Sequence, residues 1–403
     1  MMIIVRRYQD EERIKRIKPP IIVYGRRKTG KTFFIKSVFR DAPYLFVRRD
    51  RSIYREDRNE IITYDEMKRL IEEREEIVII DEFHRLPDEF LDWLHVKSPC
   101  NLILITSTLH LAQNFLSKGS PILGLFLGFQ MNLIDERDIL LNLSQKIKDG
   151  KTLVEQSVYM REPILLRWFG SDTVNILNNL KIIVPSLVGE VFGEEEKELS
   201  ARYEGILRAL SSGKTTLSEV TGFLYSNKLI EKQDTSAVKP YLRILSEIGM
   251  VKRIPEYFGK RYYYYVSSPM VDLYYYLDEK YNFSEREISE KYFTEKLPMH
   301  VEDFFRELLS KMFDLRVYMI NKPNLQIDIA LADHKRLKVV CEVKWKDRVR
   351  RAEVGEIERK LSRFKDCRKI MIVKSRDSVE REPDGIEVWD ADMVMERLKT
   401  QPL

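Results

Sequence analysis

The stretch Ile21-Ile22-Val23-Tyr24-Gly25-Arg26-Arg27-Lys28-Thr29-Gly30-Lys31-Thr32 decides the fold of this chain. Ile21 to Tyr24 read as a buried strand, and Gly25-x-x-x-x-Gly30-Lys31-Thr32 completes a phosphate-binding loop pattern. Gly25 and Gly30 let the backbone curl, so that N–H groups from Arg26, Arg27, Lys28 and Thr29 point at phosphate oxygens. Lys31 can reach the β- and γ-phosphates, and the Thr32 hydroxyl can ligate Mg²⁺. Thr32 to Phe39 then supply a helix whose N-terminus adds partial positive charge to the anion site. The expected ligands are ATP and Mg²⁺.

Working outward, Tyr44 to Val47 look like a second strand, followed by the basic run Arg48-Arg49-Asp50-Arg51. Two readings of that run stand: a solvated loop and a nucleic-acid contact. Tyr64 to Glu76 space Met67, Leu70 and Ile71 for one helix face. Ile77 to Ile80 form another apolar run, ending in Asp81-Glu82. In a phosphate-loop protein, a buried strand ending in Asp sets that carboxylate beside Mg²⁺, and the next acid polarises the attacking water. His84 reads as a structural polar residue. The strand Asn101 to Ile105 ends in Thr106-Ser107-Thr108. Either these hydroxyls touch the γ-phosphate side, or they cap a helix opening at Leu109.

The loop, the Asp-Glu strand, the hydroxyl-ended strand and Ser120-Pro121-Ile122-Leu123-Gly124 together resemble the archaeal-type ATPases of the STAND branch of the AAA+ class. The resemblance implies an α/β fold: a doubly wound parallel sheet with a small helical lid. It carries the nucleotide roles onto Lys31, Thr32, Asp81, Glu82 and Ser107. The family's Gly-Arg stands here as Gly124-Leu125. Its Gly-Gly-x-Pro near the adenine stands as Met160-Arg161-Glu162-Pro163, which keeps Pro163 alone.

Length and composition bound the rest. A chain of 403 residues holds two or three domains. A net charge of +5 is mild, so nucleic-acid affinity must come from local patches. Cys100, Cys341 and Cys367 form no C-x-x-C pair, which argues against zinc or a disulfide framework and fits a reducing cytosol. The start turns charged too early for a signal peptide, and no apolar run reaches transmembrane length. A soluble cytoplasmic protein is expected, with domains at 1–190, 191–290 and 291–403.

In the middle region, Gly193 to Glu198 read as a charged linker. Helices are expected over Tyr203 to Leu210, over Thr216 to Leu224, and from Pro240 in a first turn to Gly249. Val251 to Val266 alternate as a hairpin. Three short helices and a hairpin describe a winged helix. Lys239 and Arg243 face outward, while Lys252, Arg253, Lys260 and Arg261 sit in the wing, placed to meet DNA phosphates. The competing reading is a module docked on protein.

In the C-terminal region Met299 to Leu309 form an amphipathic helix, followed by strands Gln326 to Leu331 and Leu337 to Trp345. Period-two geometry puts Glu342 and Lys344 on one face, and Asp328 also leaves the apolar face. This set resembles the PD-(D/E)xK nuclease core and the C-terminal domain of the same archaeal ATPases. The resemblance implies Asp328 and Glu342 as metal ligands, Lys344 beside the water and Glu302 as the helix-borne acid. The basic run Lys344 to Arg351 beside it suits phosphates. The whole reads as an ATP-dependent, DNA-associated switch with a nuclease-like effector. Its rival is a signalling or scaffold ATPase whose later domains bind protein.

Overall fold

The computed structural model describes residues 3–106, 124–171, 176, 178–192 and 197–400. The chain divides into two compact units. One comprises Arg7–Leu133 with Glu247–Gly249, and the other Met1–Arg6, Ile134–Ser246 and Met250–Leu403.

The first unit is an α/β layer structure around a seven-stranded sheet. Its elements are α1 (Tyr8–Lys15), β1 (Ile21–Tyr24), α2 (Lys31–Val38), β2 (Tyr44–Val47), β3 (Ile53–Arg55), β4 (Glu60–Ile62), α3 (Tyr64–Glu72), β5 (Val78–Asp81), α4 (Glu89–Lys97), β6 (Leu102–Ile105) and β7 (Leu127–Gln130). The strand order is β4-β3-β2-β5-β6-β1-β7. The β2-β5-β6-β1-β7 part is parallel, and β3 and β4 extend it as an antiparallel edge. Parallel strands are covered on both faces, which is why β1, β5 and β6 are near-continuous apolar runs. Alternate residues of each strand enter opposite cores. Ile22, Ile80 and Leu104 join Met67, Phe90 and Leu94 on one side. Ile21, Val23, Ile79 and Ile103 join Ile14, Phe34 and Ile35 on the other. Three departures from expectation fall here. The helix after Tyr64 ends at Glu72, the β3–β4 hairpin follows the basic turn, and β7 comes out of the apolar stretch before Met131.

The second unit runs α5 (Glu136–Leu143), α6 (Gly150–Met160), a 3-10 turn (Pro163–Trp168), α7 (Leu180–Phe192), α8 (Lys197–Ser211), α9 (Leu217–Ser226), α10 (Thr235–Glu247), β8 (Val251–Pro255), β9 (Tyr262–Val266), α11 (Pro269–Tyr281), α12 (Leu297–Phe313), β10 (Arg316–Lys322), β11 (Leu325–Asp333), β12 (Arg336–Lys344), α13 (Arg351–Leu361), β13 (Arg368–Val373), β14 (Glu387–Trp389) and α14 (Ala391–Thr400). Lys197 and Glu198 belong to α8 rather than to a linker. The α9 helix begins as expected, with a reciprocal Thr216–Glu219 capping box. The α10 helix corrects the reading of Pro240. It starts at Thr235, and Pro240 lies inside it, exposed. Asp234 accepts the Ser236 N–H at 2.9 Å and so starts the helix one turn earlier.

The strands β10-β11-β12-β13-β14 form a five-stranded sheet. The β10–β11 and β11–β12 pairs are antiparallel, whereas β12–β13 and β13–β14 are parallel. The β10 strand and the parallel strands β13 and β14 were not expected from sequence. Val340, Met371, Val354 and Leu361 share the core under α13.

Candidate functional site

Gly25, the first loop residue, has φ 145°, and a Cβ there would lie 2.2 Å from the Met131 carbonyl oxygen, so only glycine fits. Lys28 (φ 64°) and Gly30 (φ 84°) turn the rest of the loop. Gly30 is the N-cap of α2 and supplies no side chain to cap the first N–H groups. Those donors are therefore left for an anion. The loop is closed from within by Thr29, whose hydroxyl donates to the Arg26 carbonyl at 2.9 Å. Arg7 adds a 3.0 Å bond to the Thr29 carbonyl.

Lys31 is buried, and its ammonium donates to the carbonyls of Gly25 and Arg26, both at 2.9 Å. Burial lowers its pKa to about 8, although Asp81 and Glu82 pull the other way. Thr32 donates to Asp81 Oδ2 at 2.5 Å, and Tyr44 donates to the same oxygen at 2.8 Å. The Glu82 N–H caps Asp81 Oδ1 at 2.8 Å. Burial raises the Asp81 pKa against these bonds. The Thr32–Asp81 pair is the oxygen set expected for a magnesium site. Glu82 has φ 56° and holds Arg85 at 3.1 Å and the His84 ring at 3.5 Å. His84 Nδ1 in turn lies 3.1 Å from the Thr106 hydroxyl. The structure thus joins the strand ends of β1, β2, β5 and β6 around Lys31, Thr32, Asp81 and Glu82. Ser107 and the Ser120 to Leu123 segment lie outside the described residues. Pro163 opens the 3-10 turn of the second unit. Beside it, Arg161 pairs with buried Glu136 at 2.7 Å and donates to the Ile134 carbonyl at 2.8 Å, so this divergent position serves packing. Tyr44 and Thr106 were not singled out for these contacts. A Tyr at the start of a neighbouring strand gives no sequence signal of its contact.

A second cluster lies in the second unit. Lys344 Nζ sits between Asp328 Oδ2 at 3.4 Å and Glu342 Oε2 at 3.1 Å. Asp328 also accepts the Val343 N–H at 2.9 Å. Glu342 is almost fully buried, and its other oxygen meets Lys360 of α13 at 2.5 Å. Glu302 pairs with Arg306, which also reaches Asp303 at 3.1 Å and the Asp328 carbonyl. Burial, with Asp328 and Asp303 nearby, pushes Glu302 up to about 7 despite Arg306. Among the described residues, no group of three or more His, Cys, Asp or Glu side chains is placed to hold a metal ion. Asp328 and Glu342 share the Lys344 ammonium, and Glu302 is turned away to Arg306. The residues missed by sequence are Lys360 and Arg306.

One expected phosphate contact is corrected, and part of the basic run is already paired within the chain. Lys252 of the hairpin points inward and pairs with Asp303, with Glu307 at 3.5 Å. In the basic run, Lys346 pairs with Glu353, and Arg348 pairs with Glu380 at 2.6 Å. Lys252 lies within β8, where strand alternation turns it toward the acids of α12, whereas Lys346 and Arg348 follow β12 and stay at the surface beside Glu353 of α13 and Glu380.

Residues 17–118 match the family model described as an AAA domain. No curated protein matches the chain. Among solved structures, the Walker-type ATPase of Pyrococcus abyssi superposes with a TM-score of 0.51 at 16% identity, over 68% of this chain and 96% of that one. An Aeropyrum pernix ORC1 protein in complex with DNA gives 0.32 at 16%, over 70% and 94%. A STAND protein with a tetratricopeptide repeat sensor from Pyrococcus horikoshii gives 0.31 at 15%, over 77% and 46%. Residues 17–118 thus carry an AAA domain, and its phosphate-loop fold is that of the Walker-type ATPase structure. Among the described residues, no helix is long and apolar enough to cross a membrane.

Proposed function

We propose that this protein is an ATP-hydrolysing switch that associates with DNA and presents a nuclease-like effector. The observation that carries the nucleotide part is the buried Lys31 ammonium, held among the described residues by two neutral loop carbonyls at 2.9 Å beside the Thr32–Asp81 pair. A triphosphate supplies the countercharge that those carbonyls lack. Lys31 and the loop N–H groups from Gly25 to Thr32 bind it. Thr32 and Asp81 would hold Mg²⁺, which would supply neutralising charge for the phosphates. Glu82, once parted from Arg85, orients the attacking water. Ser107 and Thr106 serve the γ-phosphate side.

The proposed organisation is an ATPase with lid at 1–190, a winged helix at 191–290 and a nuclease-like domain at 291–403, in a cytoplasmic protein of the STAND type. Support for the last domain is the order α12, three antiparallel strands, α13 and a parallel strand, with Asp328, Glu342 and Lys344 gathered on one face. Metal held by Asp328 and Glu342 would polarise a phosphodiester, and Lys344 would face the water.

A second reading has one observation behind it. Lys252, Lys346 and Arg348 are spent on internal pairs, which suits a module that binds protein rather than DNA. Binding of the full chain to duplex DNA, followed against salt with and without ATP, separates the two. A steep salt slope supports DNA association, because phosphate contacts release counterions. Absence of binding at low salt moves the assignment to a protein partner.

A further inference from the structure

The β8–β9 hairpin is not a free wing. Its tip is bound to the edge strand β10 through a parallel bridge between Glu256 and Met319 and a 2.9 Å bond from the Tyr257 N–H to the Met319 carbonyl. The Tyr257 hydroxyl donates to the Lys335 carbonyl at 2.7 Å, and its ring meets Tyr318 edge-on. Ile254, Tyr263 and Met319 close a small core beneath. A hairpin anchored this way has lost the freedom to follow a duplex groove.

What it leaves outside is aromatic and basic. Phe258 is 50% exposed and Tyr262 37%. Each ring carries a cation over its face, Lys322 at 4.4 Å from Phe258 and Arg253 at 4.3 Å from Tyr262. Lys260 and Arg261 are exposed between them in sequence, and Lys335 and Arg336 are exposed in the adjoining β11–β12 turn. The acids nearby are half-buried Glu256 and exposed Asp333. Among the described residues, Arg253, Lys260, Arg261 and Lys322 make no ion pair. This differs from Lys252, which is consumed by Asp303 on the inward side of the same strand.

Half-exposed rings that already stack cations, with no acid among the described residues neutralising those cations, suit a polyanion whose flat bases can take the cations' place on the rings while its phosphates take the charge. A duplex hides those bases in its stack, whereas a single strand offers them. We propose that the hairpin tip and β10 form one platform for single-stranded nucleic acid. Bases stack on Phe258 and Tyr262, and Arg253, Lys260, Arg261 and Lys322 take the phosphates. The proposal rests on the nucleic-acid reading above and narrows its substrate class.

The test is fluorescence polarisation of the full chain, without nucleotide, using a labelled oligothymidine and a labelled mixed-sequence duplex at two salt concentrations. The single strand is expected to bind more tightly. Joint Phe258→Ala and Tyr262→Ala should weaken it by ~10-fold or more while leaving duplex binding in place. Phe258→Tyr with Tyr262→Phe should restore binding, which a merely damaged fold could not do. Lys322→Ala should reduce the salt slope by about one unit of charge. Single-strand affinity unchanged in the double alanine variant overturns the platform, while salt-sensitive duplex binding keeps the DNA reading alive. No binding to either probe overturns both.

Discussion

Two lysines in this molecule face the same problem and solve it oppositely. Lys31 is buried against neutral carbonyls, and that burial lowers its pKa to about 8 despite Asp81 and Glu82. Lys344 is wedged between Asp328 and Glu342, and those carboxylates raise its pKa against burial. The first charge awaits an anion from outside. The second is already compensated by its own chain, and Lys360 and Arg306 compensate the acids further. A phosphate-loop cation and a cation of a carboxylate cluster can therefore look alike in sequence yet differ in what they ask of a ligand.

The largest effect should come from Lys31. Lys31→Ala is expected to weaken ATP binding by ~100-fold or more, since charge-assisted bonds to a desolvated phosphate are the strong ones. Calorimetry checks this, and unchanged affinity removes the phosphate-loop assignment. Affinity in the unmodified protein should also fall as pH rises past about 8, where the free protein's Lys31 begins to lose its proton. A flat profile from pH 7 to 9 would break the contrast with Lys344.

Next in size is Lys252. Its ion pair with Asp303 is largely buried, and truncating one partner leaves the other charge uncompensated. Lys252→Met keeps the stem and should destabilise the second unit by about 2 kcal/mol in denaturant unfolding, reduced from the fully buried case because Arg306 still faces Asp303. A neutral result would return Lys252 to the surface cations.

Lys360 sharpens the comparison from the other side. If Lys360 competes with a divalent ion for Glu342, Lys360→Met should tighten Mn²⁺ binding by about tenfold, or 1.4 kcal/mol. Calorimetry without nucleotide reads this, and Glu342→Gln in the same background should abolish the gain. Mn²⁺ affinity that stays equal after Lys360→Met would mean the two cations do not share the oxygen.

How much of this was legible follows from locality. The Gly25 to Thr32 loop and the Asp81 strand end are written in consecutive residues, because one strand, turn and helix build most of that site. Asp328, Glu342 and Lys344 were also readable, since period-two alternation in two strands puts them on one face. Tyr44, Lys360 and Arg306 were not. They reach the sites across strand or helix packing, and nothing within a few residues of them signals the partner. The inward turn of Lys252 is of the same kind, fixed by an acid 51 residues away. Pro240 misled for a different reason: proline favours a helix's first turn, but the Asp234 cap set the start earlier.

The smallest expected effect tests whether the acids of the second cluster are as fully compensated as Lys344 is. Glu302 has its pKa raised from an ordinary 4.5 to about 7, first by burial and then by Asp328 and Asp303. A carboxyl with a raised folded-state pKa binds more protons folded than unfolded between those values. Its contribution is therefore fully present below pH 4.5 and is lost as pH rises through 7. Glu302→Gln cannot ionise, so it should escape that loss. Relative to the unmodified protein it should be about equal in stability near pH 4.5 and more stable by about 1 kcal/mol at pH 8, after discounting for the part of the side chain that water reaches. The competing force is the ion pair with Arg306, which the variant gives up. Arg306 keeps Asp303 at 3.1 Å and the Asp328 carbonyl, so the loss there is partial. Thermal unfolding of both proteins at the two pH values decides the sign. A variant less stable at pH 8 than at pH 4.5, relative to the unmodified protein, would mean the Arg306 pair outweighs burial, and the acids of this cluster would then be as well compensated as its lysine.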